Sequence, residues 1–194
     1  MKNVLLLLAN GFETYEASVF IDVIGWNLVD GDKSTRLTSC GNTKEVVTSF
    51  GQKMIVDYTI EEINISEFDA LAIPGGFEEY GFYTDAYSNE FKDLIIEFNN
   101  QNKPIASICV AALCVGNTGI LRNRTATTYH GNEDTRQNQL RAQGAIVLNQ
   151  PIVVDDNVIT SWNPSTAITV ALLLLEKLTS KENAHYIRQI MGFE

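Results

Sequence analysis

The stretch from Lys103 to Gly116 constrains the fold more than any other part of the 194-residue chain. An apolar run, Ile105-Ala106-Ser107-Ile108, ends at Cys109, and Val110, Ala111 and Ala112 follow at once. This is how a buried strand turns sharply into a helix with one side chain held at the corner. The alanines let the new helix pack closely on the sheet. A thiol at such a corner sits at a helix N-terminus, where the macrodipole and free N–H groups favour an anion. The thiolate is the nucleophilic form of cysteine. The stretch therefore predicts a depressed Cys109 pKa, a thiol that reacts before Cys40 and Cys114, and a corner residue in sparsely populated φ/ψ space. On this segment alone, a buried structural cysteine reads equally well.

Two other segments point to the same edge of a sheet. Residues 68–73 form a hydrophobic strand pattern that runs into Pro74-Gly75-Gly76. Glycines at a strand end let the backbone approach a ligand, and their N–H groups can face a developing negative charge. Residues 3–9 form a third strand, ending at Gly11, with a helix over 14–29 behind it. In an open parallel sheet, ligands bind outside the carboxyl ends of the strands. Short apolar runs alternate with helical patterns along the rest of the chain, which predicts an α/β sheet with helices on both faces. Residues 34–40 read as a strand and 45–56 as a hairpin added at the sheet edge, turning near 49–52. Helices are expected over 89–100, 134–143, 164–178 and 180–191, and short strands over 145–148, 152–154 and 158–160.

The net charge of −10 disfavours nucleic acid and anionic membrane as partners. The apolar run Leu5–Leu8 is too short for a signal segment, and no run reaches the roughly 18 residues of a membrane span. Three cysteines do not make a disulfide framework, so a reducing cytoplasm is the expected setting. No Cys/His cluster has zinc spacing, and no metal or organic cofactor is expected.

The pieces together resemble the ThiJ/PfpI family of the class I glutamine amidotransferase-like superfamily. The resemblance rests on Gly11 with Glu16 five residues on, Ile73-Pro74-Gly75-Gly76, and Ala106-Ser107-Ile108-Cys109. Thr127-Thr128-Tyr129-His130, at the end of the strand that follows the elbow helix, and Ser161-Trp162-Asn163-Pro164-Ser165-Thr166, opening the penultimate helix, complete it. They run in the family's order over essentially the whole chain. The resemblance implies one domain over 1–194, a flavodoxin-like three-layer sandwich with a mostly parallel central sheet, and a cysteine nucleophile elbow. It implies that Glu16 hydrogen-bonds Cys109 and is protonated, with a pKa raised by burial and the nearby anion. Glu13, nearer the loop and more solvated, is the fallback acid.

Val110 departs from members that place a histidine directly after the cysteine, which argues against a peptidase. Its N–H remains a candidate oxyanion donor, with Gly75 or Gly76 as the second. Related members carry a histidine directly after the two threonines. Here Tyr129 stands there and His130 comes one later, so either side chain could face the cysteine. His185 reads as a surface or dimer contact.

The implied activity is attack of Cys109 on a small electrophile, most simply a 2-oxoaldehyde. A redox-sensing stress protein and an isonitrile hydratase are the alternatives. The loops at 77–83 and 127–133 carry aromatics that suggest a small, partly apolar pocket. Family members are commonly homodimers, and Tyr15, Val19, Asp22 and Trp26 offer an outward stripe on the first helix for that contact.

Overall fold

The computed structural model describes residues 1–131 and 133–193. Seven strands form the main sheet: β1 (Lys2–Leu8), β2 (Thr35–Gly41), β5 (Tyr58–Thr59), β6 (Ala70–Ile73), β7 (Ile105–Ser107), β10 (Ile152–Asp155) and β11 (Val158–Ser161). Their order is β10-β11-β7-β6-β1-β2-β5, parallel throughout except for the β10–β11 hairpin. Val4 to Leu8 are fully buried on both faces of β1, as a central parallel strand covered by helices on each side requires. Burial of each such side chain contributes about 1.5–3 kcal/mol.

One helical group is α1 (Thr14–Asp30), α6 (Ala167–Leu178) and α7 (Lys181–Ile190), which pack on one another. The other comprises α2 (Phe82–Ala86), α3 (Asn89–Asn100), α4 (Ala111–Asn117) and α5 (Thr135–Ala142). The architecture is the expected mostly parallel sandwich. Among the described residues, no helix is long and apolar enough to cross a membrane.

Three details differ from the sequence reading. The hairpin β3 (Glu45–Val47) and β4 (Lys53–Ile55) pairs only with itself, so it is a separate ribbon and not an edge addition. The ribbon still reaches the site region, because Gly11 N–H donates to Val47 O at 2.7 Å. The strand expected to carry Thr127 and Thr128 is only β8 (Thr125–Ala126), and it pairs with β9 (Ile146–Val147) outside the main sheet. Val19 is buried, so it leaves the outward stripe of α1, where Tyr15, Asp22 and Trp26 remain exposed. The reason is that α1 is covered by β2 and also by α6, which widens its buried face.

Candidate active site

The site grows from the end of β7. Ile108 N–H donates to Ile73 O at 3.1 Å and still follows the sheet. The next residue, Cys109, has φ of +59°, and Val110 at −72° already leads into α4. Among the described residues, the other non-glycine positions with positive φ are Lys33, Asn102, Asn123 and Asp156. Asn and Asp tolerate this region better than cysteine does. Cys109 is therefore held there by its surroundings, as the sequence predicts for a corner. Its N–H donates to Ser161 O at 3.1 Å, and Thr128 Oγ1 donates to its carbonyl at 2.9 Å. Neighbours on both sides thus fix the elbow.

Glu16 comes from the other side. Glu13 caps α1 by accepting the Glu16 N–H at 2.7 Å, which sets the first turn and aims Glu16 inward. Glu16 is fully buried, and its Oε2 accepts the Gly75 N–H at 2.7 Å. Its Oε1 is buried with no hydrogen-bond partner among the described residues. Burial pushes the Glu16 pKa from 4.5 to about 8. The Gly75 N–H opposes the rise, the Glu13 charge adds to it, and contact with the Cys109 thiol opposes it. Glu16 is consequently protonated at neutral pH, and a protonated Oε1 has a hydrogen to donate.

The Cys109 thiol is only 8% exposed. Burial pushes its pKa well above the ordinary value, ionised Glu16 adds to that, and the Val110 N–H pulls the other way. This corrects the expected depression. A helix N-terminus favours the thiolate, but desolvation and a neighbouring carboxyl outweigh one N–H. Because Glu16 ionises only near pH 8, the pair loses its first proton jointly. That monoanion is either a thiolate beside a protonated acid or a thiol beside a carboxylate.

The glycine roles also sharpen. A Cβ on Gly75 would lie 2.9 Å from Ile108 O, 3.0 Å from Cys109 Cβ and 3.0 Å from Glu16 Oε2, so glycine admits all three. The Gly75 N–H, expected as an oxyanion donor, is already given to Glu16. The Gly76 N–H meets no acceptor among the described residues. A Cβ there would sit 2.3 Å from Gly11 O and 2.3 Å from the Phe82 ring. Val110 keeps its N–H directed at the sulfur.

Cys109, Glu16, Gly75 and Val110 are thus brought together. His130 is placed in a different set of contacts. Its ring stacks on Trp162 at 4.5 Å between centroids, and its Nδ1 lies 3.2 Å from Gln137 Nε2. Tyr129 instead lines a cavity of about 440 Å³ with Glu78, Gly131, Glu133, Thr135 and Arg136. A second hollow of about 520 Å³ lies beside Gly11, rimmed by Phe50 and Tyr80. Cys40 and Cys114 are fully buried, and burial pushes both thiols up. His185 is exposed on α7. Among the described residues, no group of three His, Cys, Asp or Glu side chains could hold a metal.

The sequence reading missed Asn163. Its side-chain amide pairs with the His130 backbone in both directions, accepting from N–H at 3.1 Å and donating to C=O at 2.9 Å. The only sequence signal for it was its place in the motif that opens the penultimate helix.

A family model described as DJ-1/PfpI matches residues 2–177. Protein DJ-1 homolog A of Arabidopsis thaliana is 29% identical over 191 residues, covering 98% of this chain and 46% of that protein. The chain thus spans about half the length of that relative. The crystal structure of Drosophila melanogaster DJ-1beta superposes with a TM-score of 0.86 at 24% identity, over 100% of this chain and 98% of the other. A Toxoplasma gondii structure described as DJ-1, oxidized, superposes at 0.82 with 26% identity, over 100% and 99%.

Proposed function

The chain belongs to the DJ-1/PfpI family, and from that membership and the elbow's geometry we propose a cysteine-dependent enzyme acting on small reactive electrophiles, most simply 2-oxoaldehydes. The observation that carries this reading is the fully buried Glu16 beside Cys109, one oxygen anchored to Gly75 and the other without a partner among the described residues, with burial pushing its pKa up to about 8.

In the reacting monoanion, the Cys109 thiolate attacks the aldehyde carbon. A C–S bond forms, and the carbonyl π electrons move to oxygen, which takes the Glu16 proton. The product is a hemithioacetal, and Glu16 is now a carboxylate. It removes the hydrogen from the former aldehyde carbon, and the electron pair moves toward the neighbouring ketone. Returning that proton to the ketone carbon, while the hydroxyl proton on the former aldehyde carbon passes to the former ketone oxygen, leaves a thioester of a 2-hydroxy acid. Water cleaves the C–S bond and regenerates the thiol. A 2-oxoaldehyde plus water equals a 2-hydroxy acid, so the sequence balances without metal or organic cofactor.

Glu16 suits this role because a pKa of about 8 lets it give and take a proton near neutrality. The Val110 and Gly76 N–H groups serve the oxyanion. In this reading the protein acts as a cytoplasmic, single-domain homodimer. The exposed Tyr15 and Trp26 on α1 supply the apolar contact.

A redox-sensing role is the second reading. The Toxoplasma relative is described as oxidized, and a protonated Glu16 could donate to an oxygen added on sulfur. Two successive peroxide molecules would turn the thiolate into sulfinate and release two waters.

The test is turnover of a 2-oxoaldehyde to the hydroxy acid by the wild type, Cys109→Ser and Glu16→Ala. The enzyme reading expects both substitutions to abolish it. Equal turnover in Cys109→Ser sinks the enzyme reading. Two oxygens confined to Cys109 after dilute peroxide, in a protein without turnover, leaves the sensor.

A further inference from the structure

We infer that the Cys109 site selects uncharged over anionic electrophiles and that Glu13 is the residue that sets this selectivity. The inference rests on the proposed cysteine chemistry and narrows its substrate class to carbonyl compounds without a carboxylate or phosphate.

Glu13 is tied to the site at two points. Its N–H donates to Gly75 O at 2.8 Å, which lays its backbone against the Pro-Gly-Gly turn. Its side chain folds back so that Oε2 accepts the Glu16 N–H at 2.7 Å. A carboxylate in that position complements the positive end of α1. It stands one turn from the Glu16 carboxyl, which itself reaches Gly75, and Gly75 lies against Cys109. The shifts of Glu16 and Cys109 both register the Glu13 charge.

Among the described residues, no ion pair joins Glu13 to a cation. Arg136 is the cation lining the cavity beside Tyr129, and it is already engaged. Its Nη2 donates to Glu78 at 2.7 Å, and its guanidinium lies over the Tyr83 ring at 5.4 Å. Glu133 lines the same cavity and adds a further carboxyl. The net charge of −10 has the same sign, although salt screens it beyond roughly 8 Å.

The chemistry compounds the effect. The attacking sulfur and the oxygen it creates are negative in turn. A substrate carboxylate would bring another negative charge within a few ångströms of both. Between like charges about 7 Å apart at intermediate dielectric, repulsion slows an anion by about tenfold relative to a neutral analogue.

The test alkylates Cys109 with iodoacetamide and with iodoacetate, follows each by peptide mass, and divides the rate ratio by that of 2-mercaptoethanol. The corrected preference for iodoacetamide is expected to be about tenfold at low salt. It should shrink in roughly 0.5 M salt, shrink in Glu13→Gln, and return in Glu13→Asp. Glutamine keeps a carbonyl oxygen to cap α1, and the salt series on wild type needs no variant. A corrected ratio near one, or a preference unchanged in Glu13→Gln, overturns the inference. A protein with the charge preference but no 2-oxoaldehyde turnover keeps the inference and loses the enzyme reading. Equal kcat/KM for a neutral 2-oxoaldehyde and a carboxylate-bearing one overturns the inference and leaves the enzyme reading standing.

Discussion

Replacing Glu16 by glutamine should reshape how stability depends on pH. The carboxyl ionises at 4.5 in its ordinary state and at about 8 in the folded protein. Below pH 4.5 both folded and unfolded chains carry the proton. Between 4.5 and 8 the unfolded chain has lost it while the folded protein keeps it. Folding then takes up a proton, and stability falls as pH rises until about pH 8, where this contribution levels off. At about 1.4 kcal/mol per pH unit, the span is worth roughly 3–6 kcal/mol. Glu16 is fully buried, so solvent does not screen this away.

A glutamine side chain has no proton to lose. Its oxygen can still accept the Gly75 N–H, and its amide can face the sulfur as the acid does. The stability of Glu16→Gln minus that of the wild type should therefore climb by that amount between pH 4.5 and 8 and then flatten. The assay is urea unfolding followed by circular dichroism, under reductant, at half-unit pH steps. The Cys109 thiol shares the proton that the pair loses near pH 8, and repeating the series with Cys109→Ser isolates the carboxyl. A difference that stays flat within about 1 kcal/mol from roughly pH 5 to 8 would mean that Glu16 titrates as an ordinary surface acid, and the argument for a neutral Glu16 would fail.

Asn163→Ala removes both hydrogen bonds to the His130 backbone. It should lower unfolding free energy by about 1–3 kcal/mol, read by urea denaturation, because each lost bond is worth about 1 kcal/mol. Gly76→Ala should prevent accumulation of folded protein, since its methyl would meet backbone oxygen at 2.3 Å; a soluble variant with a native melting curve would refute that packing.

The sheet and the corner were legible because each is written locally. Ile105 to Ile108 run straight into Val110 and two alanines, and the strand ends at Pro74-Gly75-Gly76 and Gly11 on the same edge favour a turn at Cys109 over a cysteine within a strand. The buried runs Val4–Leu8 and Ala70–Ile73 carry their own signature of parallel strands covered on both faces. What stayed hidden depends on distant partners. Alternation over 45–55 does not say which sheet a hairpin joins. The first helix is covered in part by α6, which arrives about 150 residues later, a partner it cannot announce. The Gly75 N–H looked free for substrate until a side chain 59 residues away claimed it. The Cys109 pKa was misread for the same reason. The helix N-terminus is visible in the sequence, whereas desolvation by the assembled elbow is not. A residue such as Asn163, whose amide imitates a strand partner, leaves almost no trace in a single sequence.

The left-handed backbone at Cys109 has an evolutionary consequence. Holding a cysteine there costs roughly 1–2 kcal/mol that glycine would not incur. That is a sizeable share of the roughly 5–15 kcal/mol separating a native domain from its unfolded chain. Drift under selection for folding alone would favour glycine or asparagine at position 109. A lineage that keeps a thiol in that geometry does so against the gradient of stability. The residue is therefore a marker of selection on what the sulfur does, and a library screened only for heat resistance would tend to erase it first.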